Sequence, residues 1–177
     1  MKYLLKLAAL GCLFVMSTLS AMAQATDLPD ATNGLTVTAT VREQAIISVP
    51  ATIGFDVTDV GAATTVSSGA ISLTQIVLND GKKIRLSLKA SAASFTAAAG
   101  GSVTWAASDI SWNTGAWTNG MGAANALDNA AYVEVMTSSS DNPASVTGSF
   151  TFTLAAKATV DRAGAHTLAA TWKVESL

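Results

Sequence analysis

Short segments in which apolar and polar residues alternate one by one recur along this chain, and they restrict its fold more than any other feature. Residues 35–41 place Leu, Val, Ala and Val on one face and three threonines on the other. Residues 84–88 alternate in the same way, with Ile and Leu against Arg and Ser. A period of two is typical of a strand that buries one face. Outside the first 23 residues no segment keeps the helical period, so the sequence predicts an all-β chain.

The spacing of the alternating segments predicts the fold class. Turn-forming residues separate them roughly every 8 to 12 residues, and we expect an immunoglobulin-like β-sandwich of about seven to nine antiparallel strands. The Asn-Asp-Gly-Lys turn at residues 79–82 predicts a hairpin between strands at residues 71–78 and 84–88. Residues 146–156 are predicted to form one long strand, and residues 109–129, rich in Asn, Gly, Ala and Trp, a long excursion.

The beginning of the chain has the features of a removable export signal. Lys2 and Lys6 lie in a short positive region, an apolar stretch follows at residues 7–19, and Ala-Met-Ala at residues 21–23 is typical of a signal-peptidase site. No later apolar run reaches the roughly 18 residues that span a membrane. We expect an exported protein, located in the periplasm, at the cell surface or outside the cell, without a transmembrane span after signal removal. The predicted organisation is a signal peptide at 1–23, a flexible leader at 24–34 and a single β-sandwich domain at 35–177.

Composition excludes several classes of function. Charged residues make up 12% of the chain, and without Lys2 and Lys6 the mature chain keeps eight of the ten basic residues against twelve acidic ones. It has no basic stripe that could neutralise phosphates, so nucleic acid is not expected as a partner. The one cysteine, Cys12, lies in the signal. A disulfide, a thiolate nucleophile or a cysteine zinc site is therefore not expected in the mature protein.

The sequence also shows no pattern that would carry catalysis. The one histidine, His166, has no nucleophile or orienting carboxylate at a spacing that would make it a general base. Pairs such as Asp128 with Asn129 lack the dense alternation of oxygen ligands found in a calcium loop, and turn residues that bond their own backbone are the simpler interpretation. We expect no enzymatic activity, no cofactor and no metal.

Two tryptophans leave two interpretations open. Trp112 and Trp117 flank Asn-Thr-Gly at residues 113–115, so a hairpin could present both indoles to a sugar ring or another ligand. The alternative is that both fill the core of the sandwich, because a tryptophan buries a large apolar surface. A third tryptophan, Trp172, falls on the apolar face of the last alternating segment and is expected in the core.

Two segments resemble fimbrial subunits. Residues 35–41 begin about twelve residues into the mature chain and are similar to the alternating amino-terminal extension of pilins assembled by the chaperone–usher route, in particular the cysteine-free α-fimbrial type. Near the other end, a glycine followed by alternating residues resembles the carboxyl-terminal strand that the assembly chaperone recognises. These residues are Gly164, His166, Leu168, Ala170, Trp172 and Val174. Ser176 stands where many pilins have an aromatic residue.

The resemblance implies a mechanism of assembly. In that family the sandwich of one subunit lacks a strand, and the extension of the next subunit fills the apolar groove that remains. The residues that would enter the groove here are Leu35, Val37, Ala39 and Val41. Such a segment is apolar on one face and carries no charge or proline, so it would be an aggregation hazard if it stayed exposed.

We therefore expect an exported, non-enzymatic structural protein of the cell surface, a fimbrial subunit that associates with identical or related subunits by strand exchange. A periplasmic chaperone would be a further partner. Residues 35–41 could close their own sandwich or fill that of a neighbour. The alternative function is a secreted carbohydrate- or ligand-binding module in which Trp112 and Trp117 contact a glycan.

Overall fold

The computed structural model describes residues 35–177. Within them, Val41–Leu177 form one compact unit. Residues 35–40, the described part of the unit Met1–Thr40, contain no regular secondary structure and are exposed. The predicted signal peptide and leader lie outside the described residues. None of the helical structure between residues 35 and 177 is long enough or apolar enough to cross a membrane.

The regular secondary structure of the compact unit is almost entirely strand, which confirms the predicted all-β class. Its only helical segment is a 3₁₀ turn at Ala107–Asp109. There are twelve short strands among residues 41–177 rather than seven to nine. In chain order they are Gln44–Ser48 (β1), Thr64–Ser67 (β2), Ile71–Val77 (β3), Ile84–Ala90 (β4), Ile110–Trp112 (β5), Ala116–Thr118 (β6), Gly120–Gly122 (β7), Asn125–Ala126 (β8), Val133–Ser138 (β9), Val146–Ser149 (β10), Thr151–Leu154 (β11) and Ala170–Ser176 (β12).

The strands form three antiparallel sheets with the orders β1-β3-β10-β6, β2-β11-β5-β8 and β12-β4-β9-β7. The first two sheets continue into each other, because β2 leads into β3 and β11 follows β10 after one residue. The arrangement fits a β-sandwich. The immunoglobulin-like strand order stays a prediction.

The sequence predicts one long strand at residues 146–156, but the strand is interrupted at Phe150 between β10 and β11. The neighbouring strands β2 and β3 are interrupted opposite it, at Ser68. Ser68 and Phe150 lie opposite each other at the break, where the Ser68 N–H donates to the Phe150 carbonyl at 2.8 Å. The buried Ser68 hydroxyl accepts from the Phe150 N–H at 3.0 Å. Gly69 follows with a φ of +73°, in the left-handed region that favours glycine. Breaks of this kind explain part of the excess in strand number.

The predicted hairpin at residues 79–82 is wrong in its pairing. The turn itself is present, with the Lys82 N–H donating to the Asn79 carbonyl at 3.2 Å and Gly81 at a φ of +73°. However, β3 pairs with β1 and β10, whereas β4 pairs with β12 and β9 in another sheet. A turn sequence specifies a local reversal of the chain, but pairing depends on which strands can bury their faces together.

The predicted excursion at residues 109–129 contains the four short strands β5 to β8. A single residue, Asn119, with a φ of +59°, separates β6 in the first sheet from β7 in the third. The chain therefore passes from one sheet to the other at this side of the sandwich. The outer strands β1 and β12 lie at the opposite side.

The core lies between the sheets and is formed by the predicted inner faces. Ile84, Leu86 and Leu88 of β4 are all buried, as their alternation predicts. Phe150, Phe152 and Leu154 are buried in the same way, and the two phenylalanine rings meet edge to face with centroids 4.7 Å apart. Each fully buried side chain of this size contributes about 1.5–3 kcal/mol through the hydrophobic effect.

Candidate functional site

The two outer strands leave one side of the sandwich open. Among the described residues, β1 pairs with β3 alone and β12 pairs with β4 alone. β12 extends over seven residues, Ala170–Ser176. The free edge of a strand presents unpaired N–H and C=O groups that can bind another strand. The open side therefore offers a template for β-pairing.

A groove of about 950 Å³ lies at this open side. Residues 50–57 line one side, and residues 160–170 together with Trp172 line the other. Its floor is the core of the sandwich itself, formed by Leu88, Trp105, Ile110, Leu127, Phe152 and Leu154. These floor side chains are themselves buried, and the groove lies directly above them.

The first wall of the groove is strand-like but unpaired. Ile53, Phe55 and Val57 are half-buried and pack against the core, while the residues between them are exposed. This is the period-two burial of a strand. Residues 52–57 nevertheless form no strand. Its side chains alternate as in a strand, but among the described residues no neighbouring strand pairs with its backbone.

The second wall is held in place by polar contacts with the loop at residues 100–103. The Asp161 carboxylate accepts from the Ser102 hydroxyl at 2.8 Å and from the backbone N–H groups of Ser102 and Val103 at 3.1–3.2 Å. These bonds, the Ser102 hydroxyl foremost, lower the pKa of Asp161 to about 2. Arg162 adds a bond from Nη2 to the Gly100 carbonyl at 3.3 Å.

His166 belongs to the same wall and has a structural role. Its Nε2 lies 3.0 Å from the Arg162 carbonyl, which can only accept, so Nε2 carries the proton. Nδ1 lies 2.8 Å from the Thr104 hydroxyl, within hydrogen-bond distance. The ring also meets Trp105 edge to face, with centroids 5.3 Å apart. Both ring nitrogens are bonded within the protein. Between residues 35 and 177 no cluster of His, Cys, Asp and Glu could hold a metal ion.

The structure brings most of the carboxyl-terminal candidate residues to this groove. Gly164, Leu168, Ala170 and Trp172 all line it. Gly164 has a φ of +131°, and an added Cβ would lie 3.1 Å from the Ala98 Cβ, so glycine is required there. Val174 lies on the same face of β12 as Trp172. Both are half-buried and pack against the core, so the predicted core position of Trp172 holds in part.

The outward face of β12 is polar. Lys173 and Glu175 alternate with the two apolar residues, and Glu175 accepts from the Arg85 guanidinium of β4, with a shortest distance of 2.6 Å. Hydrogen bonds from Lys173 and Arg85 lower the pKa of Glu175. A strand added at this edge would therefore meet an apolar floor on one face and charged side chains on the other.

The predicted strand at residues 35–41 is not formed. Leu35, Val37 and Val41 are 86%, 83% and 70% exposed, and β1 begins only at Gln44. Ala39 is exposed as well. The physical reason is that alternation creates an apolar face but provides no partner for it, and an unpaired strand has no cross-strand hydrogen bonds. The structure therefore displays these four candidate residues to solvent.

Trp112 and Trp117 do not form an exposed pair, which corrects the ligand-contact hypothesis for Trp112. Trp112 is 3% exposed, and its Nε1 donates to the Ala123 carbonyl at 2.9 Å. Trp117 is half-buried, stacks on Phe150, and has its Nε1 bonded to the Thr114 carbonyl at 2.9 Å. The alternative, in which tryptophans fill the core, holds for Trp112.

One contact at the open side was not predicted from the sequence. The exposed Glu43 carboxylate accepts from the Asn79 N–H at 2.9 Å through Oε1 and from the Ser176 hydroxyl at 2.7 Å through Oε2. These bonds, with that of Ser176 the largest cause, lower the pKa of Glu43. Its partners lie 36 and 133 residues away in the chain. No local pattern could therefore have revealed the contact.

The chain matches no protein-family model and no curated protein sequence. Its function is therefore inferred from the geometry of the open side.

Proposed function

We propose that this protein is an exported structural subunit of the cell surface that assembles by strand exchange between copies. In this proposal residues 35–41 of one copy enter the groove of another and pair along β12. The observation that carries the proposal is the groove itself. An apolar floor lies between the strand-like segment at residues 52–57 and a wall that ends in the edge strand β12, and among the described residues neither that segment nor β12 has a partner strand on the groove side.

The dimensions of donor and acceptor agree. Seven residues in a strand extend about 23 Å, at about 3.3 Å per residue. The donor segment, residues 35–41, and the acceptor strand β12 both have seven residues. Main-chain hydrogen bonds along the β12 edge would supply affinity, and the apolar floor would select the side chains that point inward.

The chemistry of the two faces also agrees. Leu35, Val37, Ala39 and Val41 would lie on the core side chains of the floor. The three threonines between them would lie outward, beside Lys173 and Glu175 of β12. Burying each of the larger donor side chains would contribute about 1.5–3 kcal/mol. The same insertion would remove exposed apolar residues from one copy and fill the groove of another.

The glycan-binding alternative has no comparable support. It requires two indole faces at the surface, and the burial of Trp112 leaves only the half-buried Trp117. Export and a periplasmic chaperone belong to the proposal as well. Both follow from the sequence of residues 1–23 and from the resemblance to fimbrial subunits.

Competition with a synthetic peptide tests the proposal. The mature chain, starting at Gln24, is refolded from urea alone or with excess peptide of residues 35–41, and multimers are measured by size-exclusion chromatography with light scattering. We expect multimers without the peptide, and monomers carrying one peptide each in its presence. A control peptide with Val37→Asp should leave the multimers intact, because an unpaired charge in the groove costs several kcal/mol. Monomers that ignore both peptides would refute strand exchange.

A further inference from the structure

The Glu43 carboxylate joins three parts of the open side at one point. Glu43 lies two residues after Val41 and directly before β1. Asn79 follows the end of β3 and Ser176 is the last residue of β12, so the two hydrogen bonds of the carboxylate connect the ends of strands from opposite sheets. The chain at Glu43 is thereby held beside the end of β12.

This position restricts how a copy could use its own donor segment. Gln44 lies opposite Val77, so β1 starts at the end of the sandwich where β12 finishes and runs away from it. To enter its own groove, the segment before Glu43 would have to reverse direction at Arg42 and run parallel to β12. Parallel pairs are slightly less stable than antiparallel pairs, and a crossover normally connects them.

The reversal would also have unfavourable turn chemistry. Two-residue reversals between strands need a positive φ, which Gly, Asn and Asp tolerate best. Among residues 35–177 the non-glycine residues with positive φ are Gln75, Asn119 and Asn142, so neither Arg42 nor Glu43 has it. With Glu43 held in place, a longer and less strained turn would consume residues of the donor segment itself.

We propose that Glu43 is a positioning residue for strand exchange: its bonds to Asn79 and Ser176 hold the exit of the donor segment at the end of β12 and so direct that segment to a second copy instead of its own groove. This inference rests on the proposed function. The carboxylate suits the role because an ionised acceptor forms stronger hydrogen bonds than a neutral one. A glutamate is ionised at neutral pH, and the same two hydrogen bonds lower the pKa of Glu43 further.

Refolding of matched variants separates the two fates of the donor segment. The mature chain with Glu43→Ala, with Glu43→Gln or with Asp141→Ala is refolded at one concentration beside the unaltered chain. Native mass spectrometry then measures multimers, monomers that bind the peptide of residues 35–41, and monomers that exclude it. Asp141 is an exposed carboxylate without a hydrogen bond or ion pair among the described contacts, so its variant controls for loss of charge.

Glu43→Ala should raise the ratio of peptide-excluding monomers to multimers by on the order of tenfold, which is the effect of losing one moderately strong interaction. Glu43→Gln should restore the unaltered ratio, because a carboxamide can still accept from Asn79 and bond to Ser176. Asp141→Ala should change nothing. A loss of stability alone would not create monomers that exclude the peptide, and urea midpoints of all variants check for such a loss.

A ratio for Glu43→Ala equal to that of the unaltered chain would overturn the role of Glu43 while leaving strand exchange intact. If Glu43→Ala does not refold, Ser176→Ala replaces it, since this variant removes one bond and keeps the other to Asn79. If the unaltered chain forms no multimers and binds no peptide, strand exchange itself is refuted and this inference falls with it.

Discussion

At the scale of single residues, hydrogen bonds of polar side chains hold one wall of the groove in place. Asp161 is the main example, because one carboxylate holds two backbone N–H groups and a hydroxyl of the loop at residues 100–103. Through it, the wall that lines the groove is tied to a segment some 60 residues earlier in the chain. Polar contacts between one wall of the groove and the loop at residues 100–103 therefore help to maintain the groove.

These contacts make a prediction about pH. The pKa of Asp161 is lowered from 3.8 to about 2 in the folded protein, so the ionised carboxylate stabilises the fold above the unfolded pKa. This contribution is lost as pH falls from about 4 to about 2. Asp161→Asn should therefore lower the urea midpoint at pH 7, and the difference from the unaltered chain should shrink towards pH 2. Asp141→Asn is the control, and a difference that stays constant with pH would contradict the role of Asp161.

At the scale of elements, the fold depends on how the backbone is hydrogen-bonded where a strand is interrupted and the chain passes into another sheet. At the break between β10 and β11 the ladder is kept by the Ser68 hydroxyl, which accepts from the Phe150 N–H and donates to the Gly69 carbonyl at 2.8 Å. The site is buried, so water cannot replace the hydroxyl without opening the sandwich. One serine thus lets the paired strands change sheet without leaving a buried N–H unbonded.

Removal of this hydroxyl should cost stability. Ser68→Ala leaves the Phe150 N–H without an acceptor, and we expect a loss of about 1–3 kcal/mol in the free energy of unfolding. The neighbouring Ser67→Ala is a matched control, because the Ser67 hydroxyl accepts from the Gly69 N–H at an exposed position. Equilibrium urea unfolding measures both variants. Equal midpoints for the two would show that the break does not need the Ser68 hydroxyl.

The sequence predicted which side chains face the core better than it predicted which strands pair with each other. Alternation placed Leu86 and Phe152 in the core, and both are buried. It could not show that the strands beside the turn at residues 79–82 enter different sheets, because pairing depends on surfaces far apart in the chain. Trp112 shows the same limit, since flanking turn residues indicate a reversal but not which side of it faces the core.

The candidate site was likewise predicted only in part from the sequence. The apolar positions of the carboxyl-terminal segment were predicted from alternation, and several of them line the groove. The groove could not be predicted, because it is formed by segments far apart in the chain and lies beside residues 52–57 and β12, which have no partner strand there between residues 35 and 177. Neither could Glu43, whose partners come from the ends of β3 and β12. Features that depend on residues far apart in the chain leave no local pattern in the sequence.

At the scale of the whole molecule, the chain has two complementary incomplete features. One is an exposed segment with an apolar face, and the other is a groove at the open side of the sandwich, with buried core side chains at its floor. Either one alone would be an aggregation hazard. Strand exchange between copies would satisfy both at once and would link subunits without a covalent bond. The proposal thus explains why two apparently unfavourable features occur in one chain.

Insertion of residues 35–41 into the groove is tested most directly by placing the same charge on either face of this donor segment. Val37→Asp would put an unpaired charge into the groove, whereas Thr38→Asp would put the same charge on the outward face. Multimers of the two mature chains are measured by size-exclusion chromatography with light scattering after refolding. We expect Val37→Asp to remain monomeric, and Thr38→Asp to form multimers like the unaltered chain. Equal multimer formation by both variants, or its loss in both, would contradict insertion of residues 35–41 as a strand with one face in the groove.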